Sequence, residues 1–254
     1  MPFGWEMFIA SAIGFVGGYA GIAGAPFIVF LFVTFIGYSQ HSAQGTVLAM
    51  MLGPITILPV ILGWHIVRSR LKEIITSVLT YVVFSFAGAQ IAYLFSSPGL
   101  TLLFGIFIAL LGVVYILFSI GKIGQIQHDN KNLPLIYMAI IGAVIGTVGG
   151  MTGIGAGILL VPLLTMWLGV EQREAQTMSL AILLPPVSLG AAVKYGFMEN
   201  DIIWPAAGLM LLTYFITSGL GYRFSFRHPT LVIRIVLSAL LILAGIIDIL
   251  GVIR

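Results

Sequence analysis

The stretch "GGMTGIGAG", residues 149–157, holds five glycines in nine positions inside a run apolar enough to read as one long membrane helix. "GGYAGIAGA", residues 17–25, states the same theme near the start of the chain, again in the middle of an apolar run. Glycine weakens a helix by about 1 kcal/mol relative to alanine. A segment that carries such a cluster is expected to break there, and this chain carries two.

The surroundings of both clusters are those of a membrane protein. Charged residues make up 7% of the 254 residues and apolar residues 60%, against roughly 25% and 45–50% in a soluble domain. Cutting at the polar breaks leaves eight apolar segments, about 5–36, 42–63, 74–95, 99–120, 134–168, 174–195, 202–222 and 231–252. Six have the length of a single span, roughly 20 residues. The first and fifth are much longer, and these hold the glycine clusters. All four tryptophans, Trp5, Trp64, Trp167 and Trp204, fall at segment ends, the headgroup level that an amphipathic ring prefers. No lysine or arginine precedes Arg68, so the first segment lacks the basic opening of a secretory signal and is expected to be retained. The chain has no cysteine, which removes thiol chemistry and thiolate metal sites. Its net charge of +3 is carried in loops beside membrane segments, giving no reason to expect a nucleic-acid partner.

The chain is written twice. Setting Ile13 against Ile145 aligns 13–56 with 145–188 without a gap. Gly14, Gly17, Gly18, Gly21 and Ile22 fall on Gly146, Gly149, Gly150, Gly153 and Ile154; Gln40, Ala43, Gln44 and Pro54 fall on Gln172, Ala175, Gln176 and Pro186. This predicts a first membrane repeat over 1–120, a polar linker over 121–134 and a second repeat over 135–254. Gly53-Pro54 and Pro185-Pro186 lie near the centres of segments two and six, where proline removes a donor and frees a carbonyl that needs a new partner. Duplicated halves with interrupted segments at matching positions characterise transporters whose site lies where the interruptions meet.

Two arrangements are open for the long segments. They can be re-entrant, entering the bilayer, turning at the glycines and leaving by the same face, with arms of roughly 12–16 residues that reach the middle of a ~30 Å core. Or the chain has eight full spans. The eleven lysines and arginines favour the first. With eight spans Arg68, Arg70, Lys72, Lys122, Lys131, Lys194 and Arg254 face Arg173, Arg223, Arg227 and Arg234, seven against four. With re-entrant hairpins only Lys194 and Arg254 oppose the other nine. Three true crossings per half also invert the second repeat relative to the first, the arrangement that alternating access uses. The competing reading of the glycines is a small-residue stripe, Gly142, Gly146 and Gly150, for close helix packing. The expected fold is thus an all-α integral membrane protein of two four-segment halves, each opening on a glycine-broken hairpin, with the repeats inverted.

"GTVGGMTGIGAGILLVP", residues 146–162, has the form G-x-x-G-G-x-x-G-I-G-x-G followed by an aliphatic run and proline, and here the chain resembles the TauE/SafE family of sulfite exporters, or sulfonate uptake permeases, over essentially its whole length. The later "KYGFMENDIIWPAAGLMLLTYFITSGLGYRF" is also similar to the family's pattern. The first copy departs, with Ala23 and Ala25 in place of glycines and Phe30 opposite Pro162. The small-polar A-x-x-T-S pattern of the family becomes "AQGTV" and "AQTMS", keeping Thr46 and Ser179. The resemblance implies a multi-pass protein of the inner membrane that moves small sulfur-containing anions such as sulfite or sulfoacetate.

An anion in low-dielectric protein needs donors, and unpaired backbone N–H groups at a helix N-terminus supply them together with the positive end of the dipole. The outgoing arms begin near Gly24 and Gly155, so the expected donors are the amides of Gly21, Ile22, Ala23 and Gly24 and of Gly153, Ile154, Gly155 and Ala156. Gln44 and Gln176 are the side chains expected to complete the site, next to the breaks at Pro54 and Pro186. Gln40 and Gln172 are expected at the interface; Thr56, Ser188, Thr152 and Ser179 are weaker candidates, because membrane hydroxyls commonly bond their own backbone. Asp248 is the one acid inside a late span and is expected near the interface; the four histidines are too scattered for a metal site. No cofactor is expected, the partners are a small anion and the lipid bilayer, and a homodimer is left open. Deep positions show no nucleophile, base or acid pair, which argues against an intramembrane enzyme; a channel or a carrier of another small anion remains a rival.

Overall fold

A computed structural model describes residues 3–20, 24–120, 133–153, 157–225 and 230–253. All regular structure among them is helical. The first half runs α1 (Gly4–Ala20), α2 (Ala25–Leu31, continued by a π turn over Phe32–Ile36), α3 (Gln40–Met50), α4 (Ile57–Leu62), α5 (Trp64–Ser69), α6 (Leu71–Ala92) and α7 (Ser97–Ser119). The second runs α8 (Leu135–Thr152), α9 (Gly157–Pro162, continued over Leu163–Trp167), α10 (Gln172–Ile182), α11 (Leu189–Ala192, continued over Val193–Met198), α12 (Trp204–Ser225) and α13 (Thr230–Ile253).

Among the described residues three helices, Leu71–Ala92, Ser97–Leu117 and Leu135–Thr152, are each long and apolar enough to cross a bilayer. Large apolar side chains such as Leu79, Val83, Leu110, Ile136 and Leu212 are exposed on the outside of the bundle, as lipid-facing residues should be. The four tryptophans are exposed at the ends of their elements.

Each expected interruption is present. The first long segment breaks between α1 and α2, and the fifth between α8 and α9. Segment two breaks over 51–56, around Gly53-Pro54; segment six breaks over 183–188, around Pro185-Pro186. The incoming arms are longer than expected. α1 has 17 residues and α8 has 18, about 26 and 27 Å at 1.5 Å per residue. Their length follows from packing rather than from reaching the midplane: α1 lies along α12, and α8 along α6, over most of their lengths.

These two contacts and that of α7 with α13 are the most extensive helix pairs. The glycine stripe makes the α8–α6 contact close. A Cβ on Gly142, Gly146 or Gly150 would collide with the backbone of Ser77, Tyr81 or Ser85. In the α1–α12 pair Gly14 and Gly18 stand in the same way against Tyr214 and Ser218. The partner helices share a motif, "YVVFSFAG" over 81–88 and "YFITSGLG" over 214–221, in which the last glycine again touches the opposing backbone: Gly88 that of Thr147, Gly221 that of Phe15. Small residues on both sides let the backbones approach, which is where dispersion holds helices together when lipid offers no hydrophobic gain.

Hydrogen bonds fix which loops share an end of the bundle. Tyr38, after α2, donates to Glu6, in the first turn of α1, at 2.7 Å. Gln40 N–H donates to Ser97 Oγ at 3.0 Å, and Tyr93 donates to Asp201 at 2.7 Å. At the other end Arg70 pairs with Glu174, and the rings of Tyr137 and Trp167 lie 5.8 Å apart. Burial and then the neighbouring carboxylates, Glu6 and Asp201, raise the phenols of Tyr38 and Tyr93 well above the usual tyrosine value, so both remain donors.

What meets at the helix breaks

The break after α8 is made by Gly153, whose φ of +68° is the left-handed conformation that costs an L-residue about 1–2 kcal/mol. Its N–H closes the helix on Gly149 O at 2.9 Å. The same glycine lies against the first half. A Cβ there would fall 2.8 Å from both Cα and Cβ of Gln44, on α3. Two residues expected in the site, one from each half of the chain, therefore touch.

Gln44 is fully buried. Its Oε1 accepts from Tyr195 Oη at 2.9 Å, while Nε2 has no hydrogen-bond partner among the described residues. A buried, unpaired amide donor costs on the order of 1–3 kcal/mol, so it is a group poised to meet an acceptor. Gln176, its equivalent on α10, is only half-buried, and in the same register Gly63 stands where the second half has Tyr195. Tyr195 also packs on Tyr93 at 5.0 Å, and Tyr93 stacks on His41 at 4.6 Å, forming an aromatic plug over Gln44. Lys194, expected at a segment end, is buried, pairs with Glu199 and lies 5.0 Å over the Tyr93 ring.

Gly24 is buried at the start of α2, and its N–H donates to Tyr214 Oη at 3.3 Å. One of the expected amide donors is thus engaged by a phenol that the sequence reading did not single out. Tyr81, which opens the shared motif on α6, is fully buried and would meet a Cβ on Gly149 with its hydroxyl. Pro54 and Pro186 are exposed at matching points of the two halves. Gly21, Ile22, Ala23, Ile154, Gly155 and Ala156 lie outside the described residues, and so does the side chain of Gln172.

The hydroxyls divide. Thr152 bonds its own helix, donating to Val148 O at 2.6 Å, as expected. Thr56 and Ser188 do not. Thr56 Oγ1 donates to Leu180 O at 2.8 Å, and Ser188 Oγ donates to Leu48 O at 2.9 Å. Thr46 Oγ1 accepts from the N–H of Ile203 at 3.1 Å. Ser179 is fully buried with no hydrogen-bond partner for Oγ among the described residues. Asp248, expected near the interface, is 4% exposed and packed between helices.

Gln44 Nε2 and Ser179 Oγ are thus buried polar groups without a hydrogen-bond partner among the described residues, and comparison with known proteins gives them a context. The profile of the family described as "Sulfite exporter TauE/SafE" matches residues 7–247. The chain belongs to the TauE/SafE family. It is 28% identical over 249 residues to the "Probable membrane transporter protein" of Methanocaldococcus jannaschii, covering 92% of this chain and 90% of that protein. No solved structure matches. Membership of the family makes this a membrane protein of the transporter kind, and both names point to transport rather than to an enzyme.

Proposed function

We propose that this TauE/SafE protein is a carrier of small sulfur-containing anions, sulfite or an organosulfonate, working by alternating access around the place where Gly153 meets Gln44. The observation that carries the reading is the reciprocal pair of hydrogen bonds at the breaks. In the alignment of the two halves Leu48 falls on Leu180 and Thr56 on Ser188, so each half caps the other's interrupted helix with the same bond. A two-fold relation between the halves would produce this reciprocity, and the crossed pairing of α1 with α12 and α8 with α6 supports the same reading.

The halves are inverted in this reading. If the chain made eight full spans, Glu6 and Tyr38 would lie on opposite faces of the bilayer, as would Arg70 and Glu174; both pairs are in direct contact. Re-entrant hairpins bring each pair to one face and place both termini outside the cytoplasm, with the 121–134 linker inside. Neutral donors rather than a buried cation hold the anion, strongly enough to bind it and weakly enough to release it. The test is counterflow in proteoliposomes with sulfite, sulfoacetate, taurine and acetate. Sulfite or sulfoacetate should move and taurine, carrying an amine, should not; movement of acetate alone would shift the substrate class to carboxylates.

A further inference from the structure

Among the described residues Asp248 is the one acid set deep in a helix-helix seam, and nothing in the anion site uses it. It sits on α13 against Gly105 of α7, where a Cβ on that glycine would fall 2.9 Å from Asp248 Cβ. Helix α7 starts at Ser97 and α13 ends at Ile253, which puts Gly105 and the carboxyl beside it about 8–12 Å inside the bundle at 1.5 Å per residue. Its Oδ2 is buried with no hydrogen-bond partner among the described residues. A carboxylate held this way loses its hydration without recovering it from protein, the condition under which a proton is taken up instead.

The surroundings provide a path for that proton. A cavity of about 420 Å³ is lined by Asp248 together with Thr34, Ser39, Gln40, Ser97 and Thr101, and it reaches the bundle end at Ser39 and Ser97. Gln40 lines it with a second buried orphan, Nε2, while its Oε1 accepts from Thr101 at 3.3 Å. None of the lining residues is a lysine, arginine or histidine. The helices packed on α13 are α7, α2 and α1. Their titratable residues are Tyr115 on α7 and Glu6 and Tyr19 on α1, with none on α2; Tyr38, bonded to Glu6, stands in the cavity wall. Arg234, on α13 itself, is about 21 Å away along the helix at 1.5 Å per residue. Among the described residues no fixed cation pairs with Asp248.

We propose that Asp248 is a reversible proton site, filled from the aqueous phase through this cavity, and that its protonation couples proton movement to transport. The carboxylate takes one proton from hydronium at the cavity mouth, an O–H bond breaking there as one forms at Asp248 and neutral water being left, and the neutral acid is the form that the rearrangement of the helices requires. The coupling half of this inference rests on the transport reading; the proton site does not.

The test therefore has two arms on the full chain in liposomes. In the first, infrared spectra follow the protonated-carboxyl band as pH is raised. A band that titrates reversibly in the wild type, disappears in Asp248→Asn and returns in Asp248→Glu supports the site. A band that is unchanged in a monodisperse Asp248→Asn protein, or one displaced by sodium at constant pH, overturns it. In the second, sulfite flux is measured under an imposed pH gradient. Acceleration by the gradient in the wild type, lost in Asp248→Asn, supports coupling; retention of that acceleration in Asp248→Asn overturns it. Absence of wild-type flux with the band intact would overturn coupling to sulfite transport and leave the proton site standing.

Discussion

Gly153 and Gln44 are in contact across the two halves of the chain: the glycine's missing Cβ is the space that the Gln44 stem occupies, with 2.8 Å from the Cβ position to Gln44 Cα. One residue supplies the left-handed turn that ends α8, and the other supplies a buried amide donor beside it. In the proposed reading the site is assembled by both halves at once. Neither half could build it alone.

Gly153→Ala should therefore fail in two ways. The left-handed φ costs about 1–2 kcal/mol for an L-residue, and the methyl group meets Gln44 backbone as well as side chain, so shortening Gln44 cannot relieve it. We expect a lower unfolding temperature and loss of flux. Gly142→Ala tests a different surface: it should loosen α8 from α6 and destabilise the protein without altering substrate affinity in whatever fraction folds.

Tyr195→Phe removes the hydroxyl that satisfies Gln44 Oε1. Leaving that oxygen buried and unpaired costs about 1–3 kcal/mol, and the cost falls on the closed form of this end of the bundle. Hydrogen exchange in residues 40–45 and 193–198 should rise, and solute access to Gln44 from the Tyr93 end should increase. Unchanged exchange would mean that the aromatic stack alone keeps the end shut. Lys194→Ala is no neutral control, because it strands Glu199 and uncovers the Tyr93 ring.

Thr56→Val and Ser188→Ala remove equivalent bonds, each worth about 0.5–1.5 kcal/mol with some added cost for the orphaned carbonyl. Their effects on stability should match within experimental error if the halves are related as proposed. A large effect from one and none from the other would show that the correspondence is confined to sequence.

The absence of cysteine makes the hairpin geometry directly testable. Glu6→Cys combined with Tyr38→Cys should cross-link readily with a short bifunctional thiol reagent, since the parent side chains are within hydrogen-bond distance. Eight full spans would hold the two thiols a bilayer apart, about 30 Å, and no short reagent would join them.

Much of this fold was legible in the glycines and prolines, because a break in a membrane helix needs residues that few other circumstances demand. The duplication placed the breaks in register, and the Gln44–Gly153 meeting falls on positions chosen from it. What was hidden depended on partners. The stripe of Gly142, Gly146 and Gly150 and the break at Gly153 look alike in sequence, yet the first serves packing and the second a turn. Tyr81 and Tyr214 escaped because the register that pairs Ile13 with Ile145 sets Tyr81 against Thr213, one place short of its counterpart, a slip that ends the gapless match. The place of Asp248 near the chain end points to the interface, whereas contact with Gly105 on a different helix helps to bury it. The arms were underestimated because α1 and α8 run on as packing surfaces for α12 and α6.

Alternating access between inverted halves is the central claim, and single-cysteine accessibility tests it most directly. Gln44→Cys and Gln176→Cys occupy equivalent positions in the two halves. In sealed vesicles of known orientation, a membrane-impermeant thiol reagent should reach position 44 from the outside and position 176 from the inside, and saturating sulfite should change the two labelling rates in opposite directions. Labelling of both positions from the same side, or rates that rise and fall together with sulfite, would contradict the account.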